Sequence, residues 1–164
     1  MSLSTWVTAA TAAVAATLLP ACDGITLQEL KPGVSTAAEV RARMGNPNFE
    51  HRNDDGTVTW EFNRQPNGVE CHMLTFDAHQ VLVKVEQVLT AAYQAKVREG
   101  MGKDEVRRLL GKPGQVQTFA NLHEEVWDWR VAGTIPTEEA HFHVHFDTAD
   151  GLVKKTSRRV EIKG

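Results

Sequence analysis

The composition of the chain is that of an ordinary globular protein. Of its 164 residues, 41% are hydrophobic and 24% are charged, and the formal net charge is −3, all unremarkable for a globular fold. A nucleic-acid-binding domain usually carries a surplus of basic residues, so we predict no nucleic-acid partner. The length suffices for one medium domain or two small ones.

The beginning of the chain predicts export and lipidation. Residues 1–21 carry no charge, and Trp6 to Leu19 form an apolar run that is short for a membrane-spanning helix but typical of a signal peptide. The run ends in Leu19-Pro20-Ala21-Cys22, which resembles a bacterial lipobox. We therefore predict a signal peptide over 1–21 and a lipid on Cys22 that holds the protein to the cell envelope in the periplasm. The outer membrane is favoured, although Asp23 resembles an inner-membrane retention signal.

One short pattern occurs twice in the chain. The first copy runs from Gly33 to Pro47 and the second from Gly100 to Pro113, and both contain Glu-Val followed by Gly-x-Pro. In the first copy Thr36 and Glu39 have the spacing of a capping box, which predicts the start of a helix. The glycine before each proline predicts where the helix ends. Such a repeat indicates that one small unit has been duplicated.

After each predicted helix the hydrophobic period changes to two, which is typical of strands. Asp55-Gly56 predicts a hairpin turn, and Val69 to Phe76 and Val81 to Leu89 follow as further strands. The predicted fold class is α+β, with two tandem units over 22–90 and 91–164. In each unit, short helices pack on an antiparallel sheet of three or four strands. Since each small sheet leaves an edge strand in need of cover, the two sheets could join edge to edge.

The same landmarks recur along both units. Trp60 and Phe62 in the first unit match Trp127 and Trp129 in the second. Their matched positions favour packing of helix against sheet over a ligand-stacking surface.

The repeated motif resembles one known family. The order Gly-x-x-Thr-x-x-Glu-Val, Gly-x-Pro, Trp-x-Phe and Leu74-Thr75-Phe76, behind a lipobox, resembles the SmpA/OmlA (BamE) lipoproteins, although Gly33 and Thr36 are one residue further apart than in the family's pattern. The resemblance implies a small accessory subunit of the machine that inserts β-barrel proteins into the outer membrane, and hence protein partners in the cell envelope. The usual subunit of that family has one unit, whereas two in tandem are similar to the β-lactamase inhibitory proteins. That second resemblance implies, as an alternative, an inhibitor-like binder of a periplasmic enzyme.

The sharpest local signal is the run from His141 to Phe146. On a strand, alternation puts His141, His143 and His145 on one face, where the first unit has Cys71 and Met73. These five residues form our predicted partner-binding face. The main prediction includes no metal, but two histidines at i and i+2 can share Zn²⁺ with a third ligand, for which His123 and Cys71 are candidates. A metal-binding periplasmic protein is therefore a further alternative.

The sequence offers no sign of catalysis. No nucleophile–base pair, paired carboxylates or glycine-rich phosphate loop stands out, so we predict neither catalytic residues nor a cofactor, and we expect Cys71 to be an inert thiol. The C-terminal end is basic, with Lys154, Lys155, Arg158, Arg159 and Lys163. A solvated strand or a contact with acidic lipid headgroups would both account for these charges.

Overall fold

The structure, a computed structural model, describes residues 27–162. The predicted signal peptide, Cys22, Asp23 and Lys163 lie outside the described residues. Within residues 27–162, no helix is both long enough and apolar enough to cross a bilayer.

The first unit is a helix followed by a four-stranded antiparallel sheet. Helix α1 spans Ala37–Met44, and the strands are β1 (Phe49–Arg52), β2 (Val58–Asn63), β3 (Cys71–Phe76) and β4 (Leu82–Gln87). They lie in the order β1-β2-β3-β4, each paired with the next. Strand β3 starts later than the sequence predicts but ends at the predicted Phe76, and β4 is shorter at both ends.

The second unit repeats this order with longer strands. Its elements are α2 (Ala91–Gln94), α3 (Lys103–Leu110), β5 (Gln115–Phe119), a 3-10 turn (Ala120–Leu122), β6 (Glu124–Val131), β7 (Glu138–Asp147) and β8 (Val153–Ile162). The strand order is β5-β6-β7-β8. The predicted α+β class with two units is confirmed. The edge-to-edge join is wrong, because the described strands form two separate sheets.

The repeated motif forms the helix ends, as predicted. The Thr36 hydroxyl accepts a hydrogen bond from the Glu39 amide at 3.3 Å. In the second copy, which has no capping hydroxyl, the Glu105 carboxylate accepts from the Gly102 amide at 2.7 Å. Each helix therefore keeps one half of the capping box and satisfies one otherwise free amide.

The two helices have different surroundings. Helix α1 packs on one side of the first sheet, where Val40 lies in a core with Trp60, Leu74 and Phe76. Helix α3 lies between both sheets. Its Val106 and Leu110 share a core with Trp129, Phe142, Val144 and Phe146 of the second sheet and with Cys71 and Met73 of the first. The order of layers is therefore helix, sheet, helix, sheet, and the units join through α3.

Candidate protein-binding face

Pairing in the first sheet separates two faces. Trp60 lies opposite Leu74, and both belong to the core under α1. The alternate residues turn the other way. This second side, which we call the covered face, consists of Thr59, Glu61, Asn63, Cys71, Met73 and Thr75. It is covered by α3 and the segment after it.

A buried carboxylate dominates the covered face. Glu61 has no exposed surface, and its side chain accepts hydrogen bonds from Arg107 at the end of α3 and from the Lys112 amide at 2.9 Å. Asn63 also donates to Glu61 at 2.9 Å, and His51 lies 3.2 Å away. The carboxylate is thus bonded by both units at once.

These contacts decide the ionisation of Glu61. Burial by itself raises the pKa of a carboxyl group, whereas hydrogen bonds to the ionised form and a nearby positive charge lower it. Here the lowering effects prevail, and the pKa of Glu61 falls to about 2. The group is therefore a carboxylate at neutral pH and forms a true ion pair with Arg107.

The backbone after α3 approaches the covered face closely. At Gly111 the φ angle is +78°, and a Cβ atom built there would lie 2.5 Å from the Cys71 sulfur. The Gly111 carbonyl accepts a hydrogen bond from the indole of Trp129 at 3.2 Å. Further along, the Gln65 side chain bonds the Arg130 amide at 2.9 Å and its carbonyl at 2.6 Å. Glycine is needed at this approach because any side chain would push the units apart.

The same side of the second sheet has no helix on it within the described chain. We call it the open face, and its central residues are Val126, Asp128, His141, His143 and His145. Asp128 lies opposite His143 as Glu61 lies opposite Met73, so the two carboxylates are equivalent. Both units therefore place an acidic side chain at the centre of this face.

On the open face, histidine side chains contact the acidic residues, as α3 and the segment after it contact Glu61 on the covered face. The Asp128 carboxylate lies 2.7 Å from Nδ1 of His141 and 3.2 Å from Nε2 of His143. His145 lies 2.9 Å from both Glu124 and the Ser157 hydroxyl. These bonds stay within the second sheet, so the open face is satisfied without a partner.

A groove follows this network. It has a volume of about 420 Å³ and is lined from all four strands, by Gln117, Val126, His143 and Ser157 among others. Only about a fifth or less of each central histidine side chain is exposed. The groove is therefore a shallow polar recess suited to a segment of protein.

Burial affects the charge of one of these histidines. Desolvation lowers the pKa of His143, while the charge and hydrogen bond of Asp128 oppose that shift in part. His143 is therefore neutral at neutral pH.

The arrangement does not suit a metal ion. Among residues 27–162, no group of three or more His, Cys, Asp or Glu side chains is placed to hold one. The ring nitrogens of His141, His143 and His145 contact carboxylates instead. The structure therefore gives no support to the alternative in which His123 or Cys71 completes a zinc site.

The predicted partner-binding face is divided by the structure. His141, His143 and His145 lie together on the open face, as the alternation predicts. Cys71 and Met73 are buried, because they contact α3 in the core between the units, and they are not available to a partner. Burial also raises the pKa of the Cys71 thiol, so the thiol stays protonated, in keeping with the predicted inert role.

Sequence reasoning missed the residues that organise both faces. Glu61 and Asp128 each directly follow the matched tryptophans Trp60 and Trp127. An acidic residue repeated at the middle of a strand was a signal that could have found them. Arg107, by contrast, reads as an ordinary exposed helix charge until the position of α3 is known.

Comparisons with known proteins assign no family. No family model and no curated protein matches the chain, so the SmpA/OmlA resemblance rests on its motif residues alone. One similar solved structure, from Streptococcus mutans, is provisionally named a beta-lactamase inhibitor protein. It is 12% identical over 82% of this chain and 93% of that one, with a TM-score of 0.35. Another, the DUF4309 family protein YjgB of Bacillus subtilis, is 16% identical over 83% and 84%, with a TM-score of 0.30. Likenesses this weak assign neither a fold family nor a partner.

Proposed function

We propose that this chain is a non-catalytic protein-binding module that receives a protein partner on the open face. One observation carries the proposal. The equivalent face of the first unit is a protein-contact surface within the chain, because α3 and the Gly111 turn of the second unit cover it. The duplicated unit thus has a docking side, and within residues 27–162 only the first of its two copies is covered.

The cellular setting that we propose is the periplasmic side of a bacterial membrane. The lipobox-like sequence ending in Cys22 supports a lipid anchor, and the motif resemblance supports a scaffold of the SmpA/OmlA kind, acting through protein contacts. If Cys22 is acylated, Cys22→Ala should move the protein from the membrane fraction to the soluble fraction. A variant that stays with the membrane would contradict the anchor.

The docking proposal can be tested by site-specific photo-crosslinking in cells. A photoreactive residue replaces Gln117, which is exposed at the groove, and in a matched control it replaces Asp54, which is exposed on the first hairpin. We expect a discrete crosslinked product from position 117 and not from position 54. Equal labelling from both positions would show that the open face binds no partner.

The identity of the product separates the two candidate roles. Subunits of the barrel-assembly machine would support the scaffold. A soluble enzyme whose activity falls when the purified chain is added would support the inhibitor-like alternative, for which the concave groove provides a surface.

A further inference from the structure

We propose that the open face takes helix α1 of a second copy of this chain, docked head to tail in the way that α3 covers the first sheet. This inference rests on the proposed function, because it names the partner for the same face. Each half of the contact between the units occurs a second time, on a surface that no element of residues 27–162 covers.

The acceptor half is the open face. In the contact within the chain, the central carboxylate is Glu61 and its cation is Arg107. On the open face the central carboxylate is Asp128, and its ion-pair contacts within the described chain are to His141 and His143. A neutral histidine is a weaker partner for a carboxylate than a guanidinium, which is always charged and donates two parallel hydrogen bonds. An arginine brought by a second copy can therefore replace a histidine.

The donor half is α1. The sequence Glu-Val-Arg occurs in both helices, so Arg41 occupies the position of Arg107. The glycine that ends each helix has the same backbone, with φ of +81° at Gly45 and +78° at Gly111. A Cβ atom at Gly111 would collide with the covered face, but one at Gly45 would meet nothing within 4 Å. The end of α1 at Gly45 thus has the same shape as the end of α3 at Gly111, but no described atom lies against it.

The outer side of α1 is suited to a flat contact. Ala38 and Ala42 are exposed on it beside Arg41, so no large side chain stands between the helix and an approaching sheet. Arg41 is half-exposed, pairs with Glu50 at 3.2 Å, and has its guanidinium 4.5 Å from the centre of the Trp60 ring. Exposed contacts of this kind are weak, so Arg41 can exchange them for the Asp128 carboxylate of a second copy.

Such a contact joins two different surfaces. One copy uses its α1 and the next uses its second sheet, so every addition leaves a free α1 and a free open face. Heterologous contacts of this type build open rows unless the rotation closes a ring. The expected assembly is therefore a concentration-dependent series of oligomers and not a symmetric dimer alone.

The test uses charge exchange between copies of the full chain carrying Cys22→Ser, which prevents acylation. Light scattering after size exclusion, from about 1 μM to about 1 mM, covers the range of weak affinities. We expect the molar mass to rise with concentration, and Arg41→Glu or Asp128→Arg alone to keep the protein monomeric. Mixing these two variants should restore association, because Arg41 and Asp128 meet in one contact and the two substituted positions carry opposite charges in the other.

Two controls keep the result decisive. Ala42→Glu places a charge on the same side of α1 without touching the sheet network, and it should prevent association even if Asp128→Arg does not fold. Asp54→Arg, a change of equal size on an exposed residue of the first hairpin, should associate like the parent chain. A parent chain that stays monomeric throughout, or a mixture that does not associate, overturns the self-association. A crosslink from position 117 to another protein would then still support the proposed function, whereas its absence would remove both.

Discussion

The covered face and the open face are the same side of the same unit in two situations. Both place a carboxylate at the centre of the face, opposite the same position of the neighbouring strand. Where α3 lies against the face, the neighbours are Cys71 and Met73, which are buried. Where no described element lies against it, the neighbours are histidines that bond to the carboxylate. The difference shows that the same side of one unit carries different residues where α3 covers it and where no described element covers it.

Energetics explain why the two sets of residues are not interchangeable. A carboxylate that is fully removed from water needs a cation and hydrogen-bond donors to compensate for desolvation, and the second unit supplies both to Glu61. Asp128 keeps about 20% of its side-chain surface exposed, so water and histidine suffice. The comparison therefore predicts a large effect at Glu61 and small ones at the open face.

The largest effect should follow from Glu61→Ala. The change leaves Arg107 and the Lys112 amide without their carboxylate at the contact between the units. Breaking a buried ion pair from one side typically costs about 3–5 kcal/mol, and we expect a loss of this size in the free energy of unfolding, measured by urea denaturation.

The equivalent change on the open face serves as the control. Asp128→Ala removes hydrogen bonds to two partly exposed histidines, so we expect a loss of only about 1 kcal/mol. Equal losses in the free energy of unfolding at both positions would mean that the contact of Glu61 with α3 does not stabilise the protein.

The lowered pKa of Glu61 predicts that the folded protein loses stability in acid. The pKa of Glu61 is about 2 in the folded chain, against an ordinary value of 4.5. A lowered pKa gives stability that is fully present above pH 4.5 and is lost as the pH falls through 2. At about 1.4 kcal/mol per pH unit, the contribution is roughly 3 kcal/mol. Unfolding measured from pH 6 to pH 2 should show this loss, and Glu61→Gln should show a flatter profile; an unchanged slope would refute the assignment.

Local rules in the sequence predicted the units well. Three signals act over only a few positions and therefore predict the local structure reliably. They are the Gly-x-Pro helix ends, the capping residues Thr36 and Glu39, and the Asp55-Gly56 turn. The repeat then fixed the order of elements twice. The common side of the three histidines followed from the two-residue period of a strand.

The contact between the units lay beyond those rules. Alternation predicts a partner-binding face that includes Cys71 and Met73, because it tells which residues share a side but not what covers that side. The covering element, α3, comes from the other unit, and its approach depends on Gly111, which local reasoning explains fully as a helix end. The wrong edge-to-edge join has the same origin, since both arrangements satisfy each small sheet locally.

A smaller effect separates the two helix-ending glycines. Gly111→Ala and Gly45→Ala meet the same backbone strain, since φ is near +80° at both positions. Only the Gly111 variant also forces a Cβ atom against the Cys71 sulfur at 2.5 Å. Overpacking of this kind costs about 1–3 kcal/mol, so Gly111→Ala should be less stable than Gly45→Ala by that amount in thermal unfolding. Equal stabilities would show that the units can move apart without cost.

The smallest effect concerns the charge of His143 on the open face. Desolvation lowers the pKa of this group from the ordinary 6.5, and Asp128 opposes the change. NMR titration of the ring protons should therefore give a midpoint below 6.5, and Asp128→Asn should lower it further because the opposing charge is gone. A histidine with a lowered pKa favours the folded state above pH 6.5 and loses that contribution as the pH falls toward its folded pKa. The effect on stability is therefore a modest decline on acidification, which His143→Gln should abolish. A midpoint that rises in Asp128→Asn would mean that Asp128 does not stabilise the protonated form of His143. Asp128 would then not be the central carboxylate of the open face in the way that Glu61 is on the covered face.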